Sequence, residues 1–69
     1  MDIRKRTGAC IRKLRDERDW SQEELAERAG LHRTYVSAVE RGVRNPTITV
    51  LERLATALGV TLSEMLAGI

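Results

Sequence analysis

Apolar residues recur along the chain at helical spacing, and each run starts and stops on residues that punctuate helices. The pattern predicts five helices, over about 3–18, 21–29, 32–41, 47–58 and 61–67. Helix one turns Ile3, Ile11 and Leu14 inward, helix two Leu25, Ala26 and Ala29, and helix three Val36 and Val39. Helix four offers Ile48, Leu51, Leu54, Ala55 and Leu58, and helix five Leu62, Met65 and Leu66. Ser21-Gln22-Glu23-Glu24 and Thr61-Leu62-Ser63-Glu64 read as capping boxes, in which the cap hydroxyl and the acid three residues on bond each other's backbone N–H. Trp20 with Leu25, Leu31 with Val36, Pro46 with Leu51 and Val60 with Met65 fit the hydrophobic staple that fixes how a chain enters a helix. Gly30, Gly42 and Gly59 each follow an apolar run, where a left-handed residue ends a helix. The expected fold is all-α, a single compact five-helix domain over residues 1–69 with short connections.

Composition narrows the chemistry. With no Phe, one Trp and one Tyr, the apolar set favours packed helices over an aromatic-rich sheet. One Cys and one His permit no internal disulfide and fall short of a structural zinc site, so neither metal nor cofactor is expected. Cys10 reads as a half-buried small residue on helix one, and His32 as a helix cap or rim residue. No nucleophile–base–acid set and no Gly-rich phosphate loop is present, so the chain is not expected to be an enzyme. No apolar run approaches the roughly 20 residues of a membrane span, and the start lacks a signal pattern. A cytoplasmic protein with no membrane partner is the expectation.

Charge is segregated. Residues 1–18 carry net +4, residues 19–27 net −4 and residues 28–44 net +3. Two basic segments around an acidic one suggest either nucleic acid or a solvated helix surface. The cluster Arg4-Lys5-Arg6 likewise either steers DNA or forms a solvated start to helix one.

Helix three decides between them. At about 100° per residue, Tyr35, Val36, Val39 and Glu40 fall on one half and Arg33, Thr34, Ser37, Ala38 and Arg41 on the other. The second half has an Arg that can fork to a guanine edge, hydroxyls that can bond either base, and an Ala methyl suited to thymine. It carries no acid. Two helices joined by a short Gly turn, the second with such a face, form a helix-turn-helix over about 21–41.

The stretch Ser21 to Val60 resembles the helix-turn-helix of lambda-repressor-like, or Xre-type, transcription regulators. Gln22, Leu25-Ala26, Gly30, Val36, Val39-Glu40-Arg41-Gly42, Asn45-Pro46 and Leu58-Gly59 carry the resemblance, and Gly8 to Arg15 is similar to the family's first helix. Leu31 to Thr47 is especially similar to controller proteins of restriction–modification systems. The resemblance implies base contacts from Arg33, Thr34, Ser37 and Ala38, and DNA-backbone contacts from Gln22, Tyr35, Arg44 and Asn45. It also implies an ion pair of Arg15 with Glu40, joining helix one to helix three. Arg28 is set apart, because Glu24 four residues earlier can pair with it.

One such helix reads too few base pairs to be selective, and regulators of this kind dimerise on two half-sites. Leu62, Met65, Leu66 and Ile69, at helical spacing, are the expected dimer face on the helix over about 61–67. The partners implied are double-stranded DNA, a second copy, and RNA polymerase, which a dimer on a palindromic operator either excludes or contacts. The alternative is a phage-type repressor, or an antitoxin whose fold mainly binds a protein. A protein-binding helix three would show larger apolar or aromatic anchors.

Overall fold

The computed structural model describes residues 2–69 as five helices, with no strand among them: α1 (Ile3–Asp16), α2 (Gln22–Ala29), α3 (Arg33–Glu40), α4 (Ile48–Leu58) and α5 (Leu62–Ala67). Among the described residues no helix is long and apolar enough to cross a membrane. Packing of α1 and α2 on α3, of α2 on α4, and of α4 on α5 surrounds a core. The fully buried side chains are Ile11, Leu25, Leu54, Leu58, Met65, Val36 and Val39.

Side-chain caps set most helix starts. Asp2 accepts from the Arg4 amide, Ser21 from Glu24, Thr47 from Val50 and Thr61 from Glu64. The box at Thr61 is complete, and its hydrogen bonds hold the Glu64 carboxyl below the usual carboxylate range. The box at Ser21 is only half made, because Arg28 takes the Glu24 carboxylate at 2.7 Å.

α2, α4 and α5 start one residue later than expected, after their caps Ser21, Thr47 and Thr61, and α1 and α3 differ further. α1 stops at Asp16, and the chain turns through Asp19, a non-glycine residue at φ 57°, before Trp20 donates its amide to the Arg15 carbonyl. α3 runs only Arg33–Glu40, since His32 caps it without a side-chain hydrogen bond and Arg41 ends it.

The inward faces need correcting at three positions. Ile3 (57 % exposed) and Ile48 (60 %) open α1 and α4, where the helix projects past the edge of the core. Leu66 is 45 % exposed, because its neighbour Met65 takes the inward position of α5. The buried stripe of α1 consists of Thr7, Gly8, Ile11 and Arg15, only one of which is a large apolar residue. Gly8 sits where α1 crosses the end of α3: a Cβ there would lie 2.3 Å from the Val39 carbonyl oxygen and 2.5 Å from that of Glu40.

Candidate nucleic-acid interface

The turn between α2 and α3 is built on Gly30, whose φ of 70° is a conformation that a β-carbon disfavours. Leu31 closes it by donating its amide to the Ala26 carbonyl at 2.8 Å. α3 is then anchored inward by Val36 and Val39, each 1 % exposed. Its other side leaves Arg33, Thr34 and Arg41 exposed and Ser37 and Ala38 half-buried.

Cations on this side stay uncommitted. Among the described residues Arg4, Arg12, Arg15 and Arg28 are held in ion pairs with Asp2, Asp16, Glu40 and Glu24, whereas Arg33, Arg41 and Arg44 are in none. Arg28 also covers the Trp20 ring, 4.2 Å from its centroid. Arg6 spends its guanidinium on the Ile69 carbonyl oxygen at 2.8 and 3.0 Å, and Lys5 packs beside Gly42. The basic start of α1 is thus largely engaged within the fold.

The acid on α3 points away from its exposed face. Glu40 receives Arg15 through two hydrogen bonds, Nε to Oε2 at 2.7 Å and Nη2 to Oε1 at 2.9 Å. The side chains are 11 % and 2 % exposed, so the pair is buried and its charges cancel in place. The Glu40 carboxylate holds the Arg15 guanidinium above its ordinary value. Arg15 also donates to the Trp20 carbonyl at 2.6 Å, which ties the turn before α2 to the same network.

Gln22 joins it from α2, its Nε2 donating to Glu40 Oε1 at 3.1 Å. Its second amide hydrogen and its carbonyl oxygen remain for an outside partner. Beyond α3, Val43 and Arg44 both donate backbone amides to the Ala38 carbonyl, at 3.1 and 3.3 Å, so the loop folds back on the helix. There the Arg44 guanidinium carbon sits 5.3 Å from the Tyr35 ring centroid, a cation–π distance. Asn45, exposed, follows in the same loop. The structure thereby gathers Arg33, Thr34, Tyr35, Ser37, Ala38 and Arg44 along α3 and its following loop, with Gln22 linked in through Glu40. Sequence reasoning assigned no task to Gly8, although a glycine inside a helical run is the mark of a close approach.

At the other end, the four residues expected on a dimer face divide. Met65 is 1 % exposed and belongs to the core, so it is corrected from that face: its side chain is consumed within one protomer. Leu66 is exposed, and Leu62 and Ile69 are half-buried. Cys10, half-buried under α5, has its sulfur 3.6 Å from the Met65 carbonyl oxygen, and burial pushes its thiol up, away from the reactive thiolate.

The family described as helix-turn-helix matches residues 11–65. Control protein C.MunI of a Mycoplasma species is 45 % identical over 69 residues, covering 99 % of this chain and 93 % of that one. Control protein C.SmaI of Serratia marcescens is 44 % identical over 66 residues, covering 96 % and 79 %. Among solved structures, the restriction-modification controller protein C.AhdI from Aeromonas hydrophila superposes with a TM-score of 0.89 at 41 % identity, covering 91 % of this chain and 96 % of that one.

Proposed function

The chain belongs to the helix-turn-helix family of transcriptional regulators that includes restriction–modification controller proteins, and from that membership we propose that it binds duplex DNA sequence-specifically as a homodimer on a palindromic operator. The observation that carries this reading is the outward side of α3: Arg33 and Thr34 are exposed with Ser37 and Ala38 half-buried beside them, while Glu40 is turned inward and neutralised. Arg33, Thr34, Ser37 and Ala38 read base edges in the major groove, and Gln22, Tyr35, Arg44 and Asn45 hold the phosphates that set register. Regulation follows from occupancy, by excluding RNA polymerase or meeting it at the promoter of a restriction–modification operon.

Selection of bound sites from random DNA tests the function; a palindrome is the expected product. On the selected site, Arg33→Ala is expected to cost about 1–3 kcal/mol and to relax the choice at one base pair. A variant that keeps the wild-type ratio between cognate and scrambled duplexes removes Arg33 from the readout.

A protomer measures 27 × 23 × 22 Å, shorter than the roughly 34 Å between half-sites one helical turn apart, so two copies are needed to read both. The exposed Leu66, flanked by Leu62 and Ile69, supplies the apolar contact. Leu66→Glu would bring like charges together across the twofold axis and is expected to convert the dimer to a monomer in sedimentation equilibrium. A wild-type mass that stays monomeric at tens of micromolar removes the dimer.

A further inference from the structure

Beside α3 lies an open hollow of about 290 Å³, lined by His32, Thr34, Tyr35, Ala38 and Arg44. Thr34 and Ala38, one turn apart on the helix, line it together with Tyr35, and each of the first two carries a methyl group. The loop supplies the opposite wall. Val43 and Arg44 both bond the Ala38 carbonyl, which brings the loop beside α3, and the Arg44 guanidinium carbon lies 5.3 Å from the Tyr35 ring centroid. The lining thus combines the methyl-bearing Ala38 and Thr34 with Arg44, a cationic donor that has no ion-pair partner among the described residues.

One feature of a base-pair edge matches that combination. Thymine alone of the four bases presents a C5 methyl in the major groove, and beside it the O4 acceptor. 5-Methylcytosine carries the same methyl beside an amino donor, which a guanidinium disfavours. Resting on the duplex-reading function proposed above, we propose that this hollow receives the C5 methyl of one thymine in each half-site, with Arg44 favouring the neighbouring O4. Arg44 presents five N–H donors, so a phosphate contact and this preference coexist. The loop after α3 thereby takes part in base selection, a role that the outward face of the helix alone does not provide.

Uracil substitution isolates the methyl without altering the protein. On the selected operator, each thymine is replaced in turn by deoxyuridine and binding is measured by fluorescence anisotropy at fixed salt. At one thymine per half-site the affinity is expected to fall about fourfold, the worth of one buried methyl. That loss is expected to vanish in Ala38→Gly, or in Thr34→Ser should the glycine variant unfold, with circular dichroism as the check on folding. A 5-methylcytosine·guanine pair at the same position is expected to bind more weakly than thymine·adenine.

Indifference to uracil at every thymine overturns the proposal. So does a uracil penalty unchanged in both variants, which places the methyl elsewhere, and so does 5-methylcytosine binding as well as thymine. A protein that selects no duplex at all fails earlier, at the random-DNA step, and marks the failure of the DNA-reading function itself.

Discussion

Gly8→Ala is expected to destabilise the domain, although alanine is the better helix former. The atoms that an added methyl would meet are the carbonyl oxygens of Val39 and Glu40, at 2.3 and 2.5 Å, and the Glu40 carbonyl carbon, at 2.8 Å. All are backbone, so no rotamer change relieves the contact, and α1 must lift off α3. Arg15 lies two turns further along the buried stripe of α1, so the same displacement pulls on its hydrogen bonds to Glu40. Overpacking alone costs about 1–3 kcal/mol, and a domain of this size has roughly 3–10 kcal/mol in total. Helix propensity works in the opposite direction, since alanine in a helix interior is better than glycine by about 1 kcal/mol. The sign of the change is therefore diagnostic. Urea unfolding followed by circular dichroism should show a midpoint shifted down; a midpoint equal to or above that of the wild type would mean that α1 and α3 are not in backbone contact at Gly8.

That glycine also marks where the sequence was hard to read. The helices were legible because their ends carry local chemistry: Ser21, Thr47 and Thr61 cap, and Gly30 and Gly59 terminate, within a few residues of chain. The inward side of α3 was legible because Val36 and Val39 are its only aliphatic residues larger than alanine. Periodicity failed on α1, since its buried stripe holds Thr7, Gly8 and Arg15 beside Ile11, residues that a hydrophobic pattern assigns to the surface. They are buried because α1 meets the end of α3 through backbone and an ion pair rather than through aliphatic side chains.

It failed again at Ile3 and Ile48, for the opposite reason. Both are apolar and on schedule, but each is the first residue of its helix, beyond the reach of the core. On α5, Met65 and Leu66 were assigned together to core and dimer face, and only packing could separate them, one inward at 1 % exposed and one outward at 45 %. The hollow between Tyr35, Ala38 and Arg44 was illegible because it is made by a loop folding back on a helix. No periodicity in the chain records that event.

Glu40→Gln is expected to destabilise the domain by about 3–5 kcal/mol, because it strands the Arg15 guanidinium, 11 % exposed, without a counter-charge. The new amide also turns a donor toward groups that are already donors, Arg15 and Gln22. Removing both charges gives a different result. Arg15→Met combined with Glu40→Leu leaves no uncompensated ion and fills similar volume, so most of the loss is expected to be regained. About 1 kcal/mol should stay lost, since the Trp20 carbonyl forfeits the donor that Arg15 supplies at 2.6 Å. The domain's net charge is unchanged in this pair of substitutions, so long-range attraction to phosphate is the same. Gln22, however, loses the Glu40 oxygen that holds its amide. The double variant is accordingly expected to fold and yet to bind the selected operator about tenfold more weakly, the worth of one hydrogen bond to a charged phosphate. Calorimetry and anisotropy on the same sample separate the two effects. A double variant as unstable as Glu40→Gln would show that something other than charge compensation sets the stability here, and wild-type affinity in the folded double variant would show that Gln22 does not need Glu40 to meet the DNA.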